Sequence, residues 1–147
     1  MASVFAVCRS KKKGIRKEAV TEGVFKEEYG MVDDAHADYQ THRQVSLLAL
    51  ESIDKMQGMG IDLKPGDFAE NITTKGIDLV SIPIGTKISI GDKAVLEMTQ
   101  LGKECHTACA IRKQVGKCIM PEEGIFGRVL QGGIIKPGDT IITDNIR

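Results

Sequence analysis

A β-hairpin is predicted by the stretch Lys87-Ile-Ser-Ile-Gly-Asp-Lys-Ala-Val-Leu-Glu-Met-Thr99. Polar and apolar residues alternate from Lys87 to Ile90, which places every second side chain on one face of a strand. The pair Gly91-Asp92 supplies a short turn, and a second extended run follows from Ala94. We therefore expect two antiparallel strands at this point.

The apolar composition favours sheets throughout the chain. There are 17 Ile, 10 Val and 9 Thr but only 8 Leu, and β-branched side chains fit pleated sheets better than helices. Glycine makes up 16 of the 147 residues, above its usual share of about 7%, which indicates many tight turns. The sequence predicts a single domain over residues 1–147, mainly β with a few helices. Its expected form is a small closed or nearly closed β-barrel, which leaves no exposed sheet edge.

Three further strands, one helix and two turns are predicted from local patterns. The strands are Ser3–Val7, Gln44–Leu48 and Thr140–Thr143, and the helix is Ala49–Met56. The tetrapeptide Lys-Pro-Gly-Asp occurs at Lys64–Asp67 and again at Lys136–Asp139. Because Pro followed by Gly is typical of reverse turns, we expect a turn at each copy.

The charge balance excludes several classes of partner. Lys plus Arg is 20 and Asp plus Glu is 20, so the net charge is zero and no long-range field draws the chain to nucleic acid or anionic lipid. The five positive charges between Lys11 and Lys17 have no aromatic residues among them, and we expect a solvated loop. No apolar run approaches the roughly 18 residues of a membrane span. Positive charge follows the first apolar stretch instead of preceding it, so we expect a cytoplasmic protein with reduced cysteines.

The densest group of reactive side chains lies between Gly102 and Pro121. It holds three of the four cysteines, Cys105, Cys109 and Cys118, together with His106. Three interpretations are open from the residues alone: buried structural side chains, a zinc site and a functional thiolate. The Cys-x3-Cys spacing falls within the range of zinc ligands, although the adjacent Cys105 and His106 rarely bind one ion together.

A functional thiolate is favoured by the charge around these cysteines. Cys105 and Cys109 are four residues apart, so on a helical turn they share a face. Unpaired amides at the start of a helix stabilise a thiolate, and Lys103 and Arg112 add positive charge nearby. The block therefore provides a candidate nucleophile or metal ligand.

Two other polar blocks are candidates for ligand contacts. Asp34, His36, His42 and Arg43 bring two of the three histidines close to carboxylates, as in a hard-metal or general-base site, but an exposed loop has the same composition. In the block from Gly66 to Thr74, an amide and two hydroxyls can donate to an anion or can satisfy a turn. The chain has no P-loop, dinucleotide-binding glycine motif or serine nucleophile elbow.

Taken in order, these blocks resemble the MOSC domain family, named after the C-terminal domain of molybdenum-cofactor sulfurase. The resemblance covers almost the whole chain and rests on seven motifs in sequence order. The chain is similar to the compact stand-alone bacterial members of the family. They are Asp34-Ala-His36-Ala, His42-Arg43-Gln-Val-Ser46, Gly66-Asp-Phe68-Ala-Glu-Asn71-Ile-Thr73-Thr, Thr99-Gln-Leu-Gly-Lys103-Glu-Cys105-His106, Cys109-Ala-Ile, Cys118-Ile-Met-Pro121 and Gly124-Ile-Phe126.

The resemblance implies a β-barrel of the pyruvate-kinase type and a role with the molybdenum cofactor, a pterin dithiolene that carries molybdenum. It implies that a cysteine carries sulfur as a persulfide or binds molybdenum, with Cys109 first, Cys105 second, and His106 and Cys118 in support. The implied cofactor contacts are Asp34, His36, Arg43, Phe68, Asn71, Thr73 and Lys103. The implied partners are the cofactor and the enzymes that make or accept it, with no nucleic acid and no membrane.

The chain departs from the family pattern at three loop positions. Asp33, Asp38 and Ala69 stand where family members usually have glycine, which changes the conformations open to those loops. No pyridoxal phosphate site is expected because a Schiff-base lysine motif is missing, and zinc is not the favoured metal. Two alternatives stay open: a molybdenum-dependent reductase of N-hydroxylated compounds and a zinc-stabilised binding module. The sequence does not decide whether the protein is an enzyme.

Overall fold

The computed structural model describes residues 2–13, 15–57, 63–102 and 123–144. These residues are mainly β, with one α-helix and one 3-10 turn among them. In chain order the elements are β1 Ser3–Arg9, β2 Glu18–Val20, β3 Gly23–Lys26, β4 Gly30–Met31, β5 Val45–Ala49, α1 Leu50–Gln57, β6 Ile72–Lys75, the 3-10 turn Leu79–Ser81, β7 Lys87–Ile90, β8 Ala94–Leu101, β9 Ile125–Gln131, β10 Gly133–Ile135 and β11 Ile141–Thr143.

The strands form two sheets. The larger has eight strands in the order β11-β7-β8-β9-β5-β6-β1-β2, and the smaller has three in the order β10-β3-β4. Strands β5 and β6 are parallel because α1 connects them across one side of the sheet, whereas the other neighbouring pairs are antiparallel. The predicted hairpin is confirmed as β7 and β8, in which Ile90 lies opposite Ala94.

The expected closed or nearly closed barrel is corrected to two open sheets. The edge strands β2 and β11 do not pair with each other. The described contact between the two ends of the large sheet is an isolated bridge between Ser3 and Thr140, with three backbone hydrogen bonds of 2.7–3.0 Å that join Ala2 and Val4 to residues 138–141. Closure stops there because residues 7–9 of β1 already pair with β2, which leaves only the first residues of β1 for the chain near β11.

Two apolar clusters hold these layers together. The larger lies between the sheets and includes Val7, Leu47, Ile72 and Ile125, all at most 1% exposed. The smaller lies beneath α1 and contains the helix residues Ile53 and Met56, the strand residues Leu48 and Phe126, and Leu63 and Phe68. Apolar residues three apart on α1 share the buried face, so the predicted helix forms in packing against the sheet. The helix described here is too short and polar to cross a membrane.

Both Lys-Pro-Gly-Asp segments form the predicted turn. In each one the amide of the Asp donates to the carbonyl of the Lys at 3.1 Å. The Asp carboxylate in return accepts from the Lys amide, at 3.0 Å in Lys64–Asp67 and 2.9 Å in Lys136–Asp139. Gly66 and Gly138 have φ of 91° and 93°, the values that the third position of a type II turn requires.

Candidate functional site

The residues that flank the cysteine-rich block lie beside α1 and the β8–β9 pair. The predicted residues Lys103, Cys105, His106, Cys109 and Cys118 belong to residues 103–122, outside the described ranges. Before this block the amide of Gly102 donates to the carbonyl of Gly124 at 2.7 Å. After it, Glu123 accepts from the hydroxyl of Ser52 on α1 and pairs with Lys55, both at 2.8 Å. The described residues on either side of the block, Gly102 and Glu123, therefore lie at neighbouring points of the fold.

The segment His42-Arg43 is fastened to the same strands. Thr99 lies where the β8–β9 register shifts, and its hydroxyl is 2.9 Å from the carbonyl oxygen of His42 and 3.2 Å from that of Phe126. The side chain of Gln44 accepts from the amide of Val129 at 3.0 Å. The backbone on either side is thus held, while the side chains of His42 and Arg43 are exposed.

The carboxylate of Asp34 is buried and joins three parts of the chain. Its Oδ1 accepts from the amide of Ser10 at 3.0 Å and from Nζ of Lys17 at 2.7 Å, and its Oδ2 accepts from the amide of His36 at 3.0 Å. The imidazole Nδ1 of His36 lies 3.8 Å from Oδ2, and this side chain is 21% exposed. Asp34 therefore orients the loop, and His36 is the ionisable side chain of this motif that reaches solvent.

Lys17 corrects the expectation of a fully solvated basic loop. Its side chain is 0% exposed in an ion pair with Asp34, and Nζ also donates to the hydroxyl of Ser10 at 3.1 Å. Burial lowers the pKa of Lys17. Burial alone would raise the pKa of Asp34, but the hydrogen bond and charge of Lys17, with help from Ser10 and Asn71, hold that pKa below its ordinary value.

Asn71 connects β1 and β5 at the start of β6. Its Oδ1 accepts from the amide and the hydroxyl of Ser46, at 3.0 and 3.2 Å, and its Nδ2 donates to the carbonyl of Cys8 at 3.2 Å. The amide of Cys8 donates to the carbonyl of Asn71 at 2.7 Å. The side chain is fully buried, and its polar atoms hydrogen-bond within the protein.

Thr73 and Phe68 also face the interior. The hydroxyl of Thr73 donates to Oε2 of Glu70 at 2.7 Å, and the amide of Gly66 donates to the same oxygen at 3.0 Å. Phe68 is 1% exposed in the smaller apolar cluster. Burial raises the pKa of Glu70 despite these two hydrogen bonds, and its Oε1 has no hydrogen-bond partner among the described residues.

Cys8, the cysteine outside the cluster, has the opposite environment to a reactive thiol. It is 0% exposed, and burial, followed by the nearby charge of Glu70, raises the pKa of its thiol to about 12. A thiol in this state stays protonated at neutral pH and is a poor nucleophile.

The comparisons with known proteins decide the family. Residues 34–142 match the MOSC domain. The chain belongs to the MOSC domain family. No curated protein matches the sequence.

Solved structures share the fold of this MOSC chain. The YUAD protein from Bacillus subtilis is 17% identical with a TM-score of 0.80, over 96% of this chain and 94% of that one. YiiM from Geobacillus stearothermophilus is 21% identical with a TM-score of 0.73, over 97% and 75%. YiiM from Escherichia coli is 14% identical with a TM-score of 0.64, over 99% and 69%. At these identities the likeness establishes the fold.

Two of the three residues that stand where MOSC family members usually have glycine adopt backbone conformations that favour glycine. Asp33 has φ of 68° and Ala69 has φ of 63°. These are positions at which glycine is expected from the family pattern, so this chain keeps the backbone conformation without the residue that adopts it most easily.

Sequence patterns did not identify Lys17 and Ser10 as parts of this region, and they included Ser46 and Thr99 in the MOSC motifs without assigning them a contact. Their partners are distant in sequence: Lys17 and Asp34 are 17 residues apart, and Thr99 and His42 are 57 apart. A lysine at the end of a basic run gives no local sign of burial. The one usable signal was that polar Ser46 lies between apolar residues of a predicted strand.

The described residues fit the cofactor in one respect. Arg43 presents an exposed cation and His36 a partly exposed imidazole, which suit an anionic group. Among the same residues no group of three or more His, Cys, Asp or Glu side chains can hold a metal ion.

Proposed function

We propose that this MOSC protein binds the molybdenum cofactor and acts in its sulfuration, modification or delivery through a reactive cysteine. The observation that carries the proposal is the family match over residues 34–142, which contains every cysteine of the clustered block. The proposal treats residues 1–147 as one MOSC domain and places it in the cytoplasm, where thiols stay reduced.

Cys109 is the principal thiol in this proposal and Cys105 the second. As a sulfur carrier, the Cys109 thiolate attacks the terminal sulfur of a donor persulfide, so that a new S–S bond forms and the donor leaves as a thiolate. As a ligand, the same thiolate binds molybdenum, whose cofactor chemistry suits soft sulfur donors. His106 and Cys118 support either role, as a proton relay and a resolving thiol.

The remaining residues divide into those that contact the cofactor and those that hold the backbone in place. Arg43, His36 and Lys103 are proposed to contact the anionic cofactor, and the exposure of Arg43 and His36 supports this assignment. Asp34 and Asn71, with Phe68 and Thr73, hold the backbone that carries those contacts, because their side chains are buried. When bound, the cofactor supplies a molybdenum centre for sulfur or oxygen exchange.

The proposal is tested by measuring molybdenum and zinc per chain by metal mass spectrometry. The full chain is incubated anaerobically with free molybdenum cofactor and gel-filtered as wild type, Cys109→Ser and Cys105→Ser. Cys8→Ala is the matched control, because it removes the buried thiol that has a raised pKa. Near-stoichiometric molybdenum in the wild type and in Cys8→Ala is expected.

The variants separate the two roles. Molybdenum lost in Cys109→Ser identifies a ligand, whereas molybdenum kept with persulfide transfer lost identifies a sulfur carrier. Absence of molybdenum from the wild type contradicts the proposal, and zinc alone in every variant supports the structural zinc module instead. Turnover of an N-hydroxylated base with a chemical reductant, without an acceptor enzyme, supports the reductase alternative.

A further inference from the structure

An open groove of about 910 Å³ lies between the turn that follows β1 and the loop at residues 33–35. Its volume falls within the range of roughly 300–1,000 Å³ that small-molecule sites occupy. Three cationic side chains, Arg9, Lys11 and Arg16, line it together with the exposed carboxylates Glu18 and Asp33. Two further exposed cations, Lys12 and Lys13, lie in the same turn but do not line the groove.

The cations of the groove have few acidic partners. Arg9 and Lys11 form no ion pair with any described residue, and Arg16 has only Asp67, 3.7 Å from its Nε. Six of the 20 basic residues of this neutral chain fall between Arg9 and Lys17. The positive charge is thus a local property of this turn and not of the molecule as a whole.

One of the three acidic residues that line the groove has its charge neutralised within the protein. Asp34 belongs to the lining, but its carboxylate is 0% exposed and is paired with Lys17. Ser10 is held against it, since its amide donates to Asp34 and its carbonyl accepts from the amide of Ala35 at 2.8 Å. An anion entering the groove therefore meets Arg9 and Lys11, which form no ion pair with a described residue, and the partly paired Arg16, against the exposed carboxylates of Glu18 and Asp33.

We propose that this groove binds a phosphate monoester dianion, with Arg9, Lys11 and Arg16 as its contacts. Guanidinium groups match phosphate oxygens in bidentate geometry, and lysine adds a point charge. The phosphate of the molybdenum cofactor and that of a free metabolite share this chemistry. The proposal does not rest on the proposed function, because inorganic phosphate alone is the probe.

The test is a titration of the isotope-labelled full chain with inorganic phosphate at constant ionic strength, followed by amide NMR shifts of Ser10 and Ala35. Saturable shifts are expected in the wild type. The double variant Arg9→Gln/Lys11→Gln should weaken binding at least about tenfold, whereas Lys12→Gln/Lys13→Gln, with the same loss of charge, should weaken it less than about threefold. Urea unfolding of both variants confirms that the fold is kept.

Absence of saturable shifts in the wild type, or equal weakening in the two double variants, overturns the proposal. Repeating the titration on cofactor-loaded protein distinguishes the two sources of phosphate. Loss of phosphate binding on loading assigns the groove to the cofactor's own phosphate, and unchanged binding assigns it to a separate phosphate compound. Either result presupposes that phosphate binds in the groove of the cofactor-free wild type.

Discussion

At the scale of single residues, three non-glycine residues of the described ranges have positive φ: Glu28, Asp33 and Ala69. A positive φ costs an L-residue about 1–2 kcal/mol when its side chain cannot compensate. Asp tolerates this region because its short polar side chain hydrogen-bonds locally, whereas Ala has no such means. Ala69, next to the buried Glu70, therefore carries backbone strain that its own side chain cannot relieve.

Ala69→Gly should stabilise the protein by about 0.5–1 kcal/mol, because the gain in φ freedom exceeds the entropy that glycine adds to the unfolded chain. Urea unfolding measures the change. Ala19→Gly, on β2 where φ is not positive, is the control and should destabilise by a similar amount. Equal effects in both variants would contradict the assignment of strain to Ala69.

Glu70 makes stability depend on pH in the direction opposite to that of most carboxylates. Burial raises its folded-state pKa above the ordinary value of 4.5. The protonated carboxyl therefore contributes its full stabilisation below pH 4.5, and this contribution is lost as the pH rises through the folded-state pKa. Glu70→Gln keeps an acceptor for Gly66 and Thr73 without the charge. The variant should gain stability relative to wild type as the pH rises.

Urea unfolding at pH 4.5 and at pH 8 measures this difference for wild type and Glu70→Gln. Glu22→Gln, at an exposed position, controls for the loss of one negative charge. Parallel pH profiles for wild type and Glu70→Gln would show that Glu70 does not titrate abnormally.

At the scale of elements, the two Lys-Pro-Gly-Asp turns have the same internal geometry but different surroundings. A Cβ at Gly66 would lie 2.1 Å from the carbonyl oxygen of Lys17, whereas nothing lies within 4 Å of one at Gly138. The first turn packs against the chain that leads into β2, and its tightness holds Lys17 beside Asp34. The second turn is at the surface.

Gly138→Ala should therefore cost only the strain of a positive φ, about 1 kcal/mol. Gly66→Ala should cost at least about 2 kcal/mol more, because a backbone carbonyl must move. The free energies of unfolding in urea provide the comparison, and the pair of variants is its own control. Equal costs would mean that the first turn shifts freely away from Lys17.

At the scale of the whole molecule, the open sheet leaves β2 and β11 as edges while β5 lies between β9 and β6. Amides in β5 should exchange with solvent at least about a hundredfold more slowly than those in β2 and β11, because edge strands open without disrupting the core. Hydrogen exchange followed by NMR measures the rates. Equal protection of edge and central strands would indicate a closed barrel in solution.

The sequence predicted elements well and the site only in part. The hairpin, α1 and both Pro-Gly turns were predicted because each depends on residues close together in the chain. Asn71, Thr73 and Phe68 were identified as motif residues, but their burial was not. The cysteines of the candidate site belong to residues 103–122, so the roles of Cys109 and Cys105 stay predictions.

The sequence by itself determined the strand-rich composition, the turns and the MOSC motifs, since these are matters of residue type and spacing. The tertiary structure alone decided that Lys17 is buried against Asp34, that Asn71 joins β1 to β5, and that the large sheet stays open. Each of these depends on partners 17 or more residues apart. Such partners meet only when strand register and loop path bring them together, and no local pattern of residues encodes that encounter.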